Sequence, residues 1–496
     1  MTDPLDSTLQ ELTAAIRTRR LSPVEVVDAH IRRIETVNPL VNALVAARFD
    51  EARDEARSAE QRLASASPEE LPPLFGVPCT IKDFYAVRGL PQTGGLVRRR
   101  GEIPERDAIV VERLRDAGAI VLGVTNVPEG GLWLESDNRL YGRTNNPWDV
   151  TRTAGGSSGG EGALIGAGAS PFGMGSDIGG SIRLPAAFCG VAGHKPTARL
   201  VPNHGHWPPL SGEHAGYLVC GPLARSAQDL MPLLRVIAGP DERDAEARPL
   251  ELGAPSDVRL DRLRVFVVED GPVKPAGVVR DAVRRAARAL EDRGATVRPA
   301  RRGILAEAFW IWAAMMDDAG SANYAELVSG DPNLPVLREL LRVARGRSNH
   351  TLPVLAVVAA QKLLGRLPGR GLDGSISLGR ALQREIESQL GDDGVLLVPP
   401  YSRPAPRHMA PLLTPFDAGF TAVFNVLGLP GTQVPTGFDH RGLPVGVQVI
   451  GKRGKDHLTI AVACAIEDAL GRLGRARPEL APERSPLSGR GPRASA

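Results

Sequence analysis

The residues able to do chemistry concentrate between Thr153 and Pro196, which read TAGGSSGGEGALIGAGASPFGMGSDIGGSIRLPAAFCGVAGHKP. Three serines, Ser157, Ser158 and Ser181, stand among Gly155, Gly156, Gly159, Gly160, Gly179 and Gly180. Backbone this rich in glycine lets N–H groups converge on a negative charge without obstruction by Cβ atoms. That charge is either a bound phosphate or the oxyanion formed when a serine attacks a carbonyl. The phosphate reading lacks support: no G-x-x-x-x-G-K-[ST] occurs, and no G-x-G-x-x-G follows a strand in a βαβ unit. The oxyanion reading needs an activated serine. Gly156–Gly160 satisfies G-x-S-x-G, the nucleophile elbow, but that turn follows a strand, and the lead-in Asn146–Ala154 is loop-like. The late histidine that the elbow requires has only His408, His440 and His457 as candidates, none in a telling context.

A serine without a histidine can be activated by a neutral lysine. Only six of the 60 basic residues are lysine: Lys82, Lys195, Lys274, Lys362, Lys452 and Lys455. In a chain that so strongly prefers arginine, a lysine in an apolar setting carries information. Lys82 closes the apolar run Phe75–Ile81. Burial there would lower its pKa toward that of a general base. A structural ion pair with Asp83 explains the same residue equally well, and the local sequence leaves both readings open. Lys195 falls in the turn Gly193–Thr197, where a structural role is expected.

These residues need elements to position them. Strands are predicted at Leu74–Ile81, Ile120–Val124, Leu263–Val268, Gly394–Val398, Gly431–Pro435 and Val445–Ile450. Helices are predicted between them at Asp107–Ala117, Gly159–Gly168, Ala227–Ile237, Val278–Arg293, Ser375–Leu390 and Asp456–Leu470. The alternation predicts an α/β fold: a central mixed, largely parallel twisted sheet covered by helices on both faces. Residues 1–66 read as a helical segment packing on that core, with a capping box at Ser22-Pro23-Val24-Glu25. The α/β domain is expected over 67–472, with a variable helical region at about 300–370, and 473–496 as a disordered tail. Phe309, Trp312 and Met316 share a helical face at i, i+3 and i+7. Such a stripe is either core packing or the wall of an aromatic or acyl pocket.

Composition excludes several classes. The 496 residues are 42% hydrophobic and carry a formal charge of +3, too small for a nucleic-acid footprint. Cys79, Cys189, Cys220 and Cys464 are isolated, which argues against a zinc ribbon or disulfide scaffold and for a reducing compartment. No apolar run is long enough to span a membrane, and the N-terminus lacks a signal-peptide h-region. A cytoplasmic monomer or homodimer acting on a small amide-like molecule is expected.

Longer blocks add a resemblance. GGSSGG (155–160), GSDIGGSIRLPA (175–186) and GHKPT (193–197) resemble the amidase signature family of serine hydrolases. GVPCTIKD (76–83), GLPGTQVPTG (428–437) and LPVGVQVIG (443–451) are similar to it too, so the likeness runs from about Thr8 to Leu470. The wording GGSSGGEGALIG is similar to fatty-acid amide hydrolases in particular. The resemblance implies Lys82 as general base, Ser157 as a bridging serine after a cis peptide, and Ser181 as the acyl-forming nucleophile. It implies an oxyanion hole from the N–H groups of Ile178, Gly179, Gly180 and Ser181, with Ser158, Asp177 and Arg183 in support. It implies no cofactor and no metal, so His204, His206 and His214 are expected to line a pocket. The implied reaction is hydrolysis of an acyl or aryl carboxamide through an acyl-enzyme, extending to esters. The alternative is a carbamate or urethane hydrolase on the same triad. Less favoured are a non-catalytic binding protein and an amidotransferase A-type subunit.

Overall fold

The computed structural model describes residues 3–320, 323–364 and 372–478. Its centre is an 11-stranded sheet. In spatial order the strands are Leu44–Ala47, Ile120–Thr125, Pro78–Lys82, Phe172–Asp177, Val219–Ala224, Ala192–Lys195, Gly431–Phe438, Pro444–Gly451, Gly394–Val398, Arg264–Val267 and Thr296–Pro299. The sheet is mixed. Pairing is parallel where Pro78–Lys82 lies between Ile120–Thr125 and Phe172–Asp177. It is parallel again through Gly394–Val398, Arg264–Val267 and Thr296–Pro299. The strands between these blocks, and the edge strand Leu44–Ala47, pair antiparallel.

Both faces are covered, which explains why the strands read as unbroken apolar runs rather than as alternations. Successive side chains point to opposite faces. Val395 and Leu397 join one core cluster, whereas Leu396 and Val398 join another with Ile311, Met315, Phe420 and Phe424. Likewise Val121 packs into the first cluster, and Ile120 and Leu122 into a third beneath Ile31 and Leu164.

Each predicted helix is present, and Asp456–Leu470 has the predicted ends. The box at Ser22 forms as expected, with Glu25 N–H donating to Ser22 Oγ at 3.1 Å and Ser22 N–H to Glu25 Oε2 at 2.8 Å. The region 300–370 contributes helices Ala308–Asp318, Tyr324–Ser329, Val336–Ala344 and Leu352–Leu364.

Several expectations need correction. The run Leu74–Ile81 does not enter the sheet until Pro78, because Val77 N–H closes a turn onto Leu74 O at 3.1 Å. The N-terminal segment is not wholly helical, since Leu44–Ala47 forms an edge of the sheet. Four residues between two helices are too few to show a period of two. Phe172–Asp177, Ala192–Lys195 and Val219–Ala224 are buried strands that their glycines and polar residues disguised. The start of the expected tail is packed: Ala476 is fully buried and donates its N–H to Gly166 O at 2.8 Å. Residues 479–496 of that tail lie outside the described residues. Among the described residues, no helix is long and apolar enough to cross a membrane.

Candidate active site

Lys82 sits at the end of the strand Pro78–Lys82, fully buried. Its Nζ lies 2.7 Å from Ser157 Oγ, 3.0 Å from Ser176 Oγ and 3.2 Å from Ser176 O. Ser176 is delivered by the adjacent parallel strand Phe172–Asp177. Burial pulls the Lys82 pKa down to about 7, against the opposing pull of Asp177. Glu161, buried nearby with the Thr80 and Thr125 hydroxyls on its carboxyl, is pushed up to about 8 by burial. It is therefore largely protonated at neutral pH. Lys82 thus meets the two conditions for a base at neutral pH: a depressed pKa and contact with a hydroxyl.

Ser157 follows a cis peptide bond from Gly156, in line with the resemblance. A side chain at Gly156 would place its Cβ 2.8 Å from Trp133 O and 2.9 Å from Glu135 N, so this position admits only glycine. Ser158 N–H donates to Ser181 O at 3.2 Å, which draws the two serine segments together. Ser158 Oγ reaches Ser176 O at 3.4 Å. Ser157 and Ser181 both keep a small solvent-exposed surface, 5% and 8%.

The turn Ile178–Ser181 differs from expectation in one respect. Gly180 N–H donates to Asp177 Oδ1 at 2.7 Å and is committed to the scaffold. It therefore leaves the expected set of oxyanion donors. The N–H groups of Ile178, Gly179 and Ser181 have no acceptor among the described residues. These three remain able to receive an oxyanion.

Asp177 and Arg183 hold the turn from beneath, both fully buried. Arg183 reaches Asp177 through Nη2 at 3.0 Å and Nε at 3.1 Å, and Gln448 and Asn425 accept its other N–H groups. Burial pushes the Asp177 carboxyl up, but the Arg183 charge and hydrogen bonds, Lys195 and the Ile182 N–H hold it well below the usual carboxylate range. A buried pair this fully hydrogen-bonded meets the requirement for carrying charge in a low dielectric. Lys195 is buried in the strand Ala192–Lys195, donates to Pro196 O at 2.8 Å and does not touch the serines.

The other expected residues separate. Trp312 reaches the turn, with its indole Nε1–H donating to Ile178 O at 3.0 Å. The Phe309 ring lies tilted near Trp312, ring centroids 6.0 Å apart, and meets Phe416 edge-on at 5.1 Å. Met316 packs on the core cluster, and its carbonyl oxygen lies 3.1 Å from His214 Nε2. The three histidines do not form one group. His204 is exposed and His214 half-buried, whereas His206 is buried with Nε2 2.9 Å from Ser176 Oγ. Burial, then the Lys82 charge, lower the His206 pKa to about 3, so its imidazole is neutral.

Sequence reasoning missed Ser176, Thr421, Asn425 and Gln448, and it named His206 without its contact to Ser176. A usable signal existed for some of them. Thr421 and Asn425 are polar residues four apart in the otherwise apolar helix Gly419–Val426. Gln448 is the polar residue in the buried strand Pro444–Gly451.

A buried lysine on a serine, a second serine beside N–H groups with no acceptor among the described residues, and a buried Asp–Arg pair beneath are the arrangement that the resemblance implies. Residues 25–460 match the Amidase family. Fatty-acid amide hydrolase 2-A of Danio rerio is 40% identical over 480 residues, covering 93% of this chain and 88% of that protein. An acylamidase of Rhodococcus erythropolis is 34% identical, covering 92% and 94%. The crystal structure of a glutamyl-tRNA(Gln) amidotransferase subunit from Thermotoga maritima superposes with a TM-score of 0.75 at 26% identity, covering 97% and 99%. The chain belongs to the amidase signature family, and it is an amide-hydrolysing enzyme.

Proposed function

We propose that this chain cleaves the C–N bond of a small acyl or aryl carboxamide through a Ser181 acyl-enzyme, with Lys82 and Ser157 as a proton relay. The observation that carries this reading is the 2.7 Å contact between fully buried Lys82 and Ser157. Neutral Lys82 takes the Ser157 proton, Ser157 takes the Ser181 proton, and Ser181 Oγ bonds to the carbonyl carbon. The oxyanion settles on the N–H groups of Ile178, Gly179 and Ser181, each worth roughly 3–4 kcal/mol to the transition state. The proton then returns from Lys82 through Ser157 to the leaving nitrogen as the C–N bond breaks. This return matters because an amine anion is a very poor leaving group. Water attacks the acyl-enzyme by the same route, and collapse releases the carboxylic acid and restores the Ser181 hydroxyl.

The test is a hydrolysis panel of aryl amides, aliphatic amides, esters and carbamates, run beside Ser181→Ala. Carbamates belong on it because the same relay serves a urethane bond. Wild type should cleave amides and take up a fluorophosphonate on Ser181, and Ser181→Ala should do neither. Wild-type rates from Ser181→Ala would remove the nucleophile assignment. The likeness to an amidotransferase component motivates one control, glutaminase activity alone and with a partner protein; a stand-alone hydrolase shows no partner dependence.

A further inference from the structure

The free N–H groups of the turn are aimed by what grips its carbonyls. In a trans peptide the C=O and the following N–H point in opposite directions, so pinning one orients the other. No bond of this turn is cis. Each carbonyl from Asp177 to Gly180 has a donor. Asn425 Nδ2 holds Asp177 O at 2.7 Å, Thr421 Oγ1 holds Gly179 O at 2.9 Å and Leu184 N–H holds Gly180 O at 2.7 Å. Ile178 O is held by the indole N–H of Trp312 at 3.0 Å. That carbonyl shares its peptide with the N–H of Gly179, one of the three unengaged donors. Three of these grips come from helices that belong to the frame: Leu184 from Arg183–Cys189, and Thr421 and Asn425 from Gly419–Val426. Trp312 comes from Ala308–Asp318, the first helix of the region 300–370.

We propose that Trp312 is a positioning residue for catalysis: its indole N–H fixes the Ile178–Gly179 peptide so that the Gly179 N–H points at the oxyanion. The inference rests on the Ser181 acyl-enzyme reading above. It assigns to the helical region a part in transition-state stabilisation, separate from any part in walling the substrate pocket. Trp312 also lies alongside the turn, because a Cβ on Gly179 would stand 3.6 Å from Trp312 Cζ2. An apolar wall alone does not require a residue that carries a donor. Phenylalanine would fill much of the same space.

The experiment separates these roles. Trp312→Phe keeps an aromatic ring and removes the donor. Replacing Trp312 by β-(3-benzothienyl)alanine keeps the bicyclic outline and removes only the N–H, which guards against a packing defect in the phenylalanine variant. Both should lower kcat for an amide on the order of tenfold or more while KM stays within about twofold, as expected for a donor that acts in the transition state. Both should weaken a trifluoromethyl ketone, which forms an oxyanion on Ser181, by the same factor. Fluorophosphonate labelling of Ser181 and the unfolding midpoint should persist. A raised KM with unchanged kcat, or no change in either variant, would overturn the proposal and leave the hydrolase reading intact. A wild type that cleaves no amide and takes no label on Ser181 would overturn both.

Discussion

Lys82 Nζ stands 2.7 Å from Ser157 Oγ and 3.0 Å from Ser176 Oγ, so one buried amine contacts two hydroxyls. The two hydroxyls reach it by different routes. Ser176 is a neighbour across the sheet, and Ser157 arrives on the glycine loop ahead of the helix Gly159–Gly166. The lysine is thereby held by hydroxyls from two separate elements.

The first consequence is a pH profile. Burial brings the Lys82 pKa down to about 7, and the base is the neutral form. The groups acting on it are ionised Asp177, the Cys220 thiol, which burial pushes up to about 12 and keeps neutral, and largely protonated Glu161. Below pH 7 Lys82 is protonated and the relay is blocked, so kcat/KM should rise with pH through a midpoint near 7 and level off above it. The measurement is kcat/KM for an amide from about pH 5.5 to 9. A profile flat across that range, with chemistry rate-limiting, would sink the assignment of Lys82.

The relay should also discriminate by leaving group. Lys82→Ala removes both the base and the proton that the leaving nitrogen requires, whereas an alkoxide leaves without such help. Amide hydrolysis should fall on the order of 10³-fold or more, and hydrolysis of the matching activated ester by much less. Ser181→Ala should reduce both on the order of 10⁴-fold. Equal losses for amide and ester in Lys82→Ala would count against proton return through this route.

The pair beneath the turn carries stability. Asp177→Asn leaves Arg183 buried without its counter-charge and weakens the hold on the N–H groups of Gly180 and Ile182. A loss of about 3–5 kcal/mol in unfolding free energy is expected, read by denaturant titration. A loss below about 1 kcal/mol would show that hydrogen bonds to the Gln448 and Asn425 amides suffice to hold the buried guanidinium.

Two adjacent glycines should respond differently to a methyl group. Gly180 has φ +116°, and a Cβ there would collide with Thr421 Oγ1 and lie 2.7 Å from Thr421 Cβ. Gly180→Ala should cost on the order of 10² in kcat by displacing the turn. At Gly179 the nearest atom to an added Cβ is Trp312 Cζ2, at an ordinary contact distance of 3.6 Å. Gly179→Ala should lose less than about tenfold. The reverse order would show that the turn is not gripped through Thr421.

Part of the site is visible in local chemistry. The scarcity of lysine singles out Lys82, with an Asp83 ion pair left equally open, and serines among glycines suit a turn that receives an anion; the roles of base and nucleophile came from the resemblance. The residues that orient the turn are less visible, because each acts across long sequence separation. Thr421 grips a carbonyl 242 residues away, Asn425 one 248 away and Trp312 one 134 away. The histidines show the same limit. His204 and His206 are two apart in sequence, yet one faces solvent and the other is buried against Ser176.

The amino-acid sequence by itself determined the α/β alternation, the helix with its capping box at Ser22, and the residue types that could form a serine–serine–lysine site. Those follow from periodicity, cap chemistry and composition, which are properties of neighbouring residues. Tertiary structure alone decided which donors stay free. Gly180 N–H is spent on Asp177, whereas the N–H groups of Ile178, Gly179 and Ser181 are left unpaired among the described residues. The physical reason is that a backbone N–H takes its direction from whatever holds the carbonyl of its own peptide, and here three of the four holders, Trp312, Thr421 and Asn425, come from remote helices.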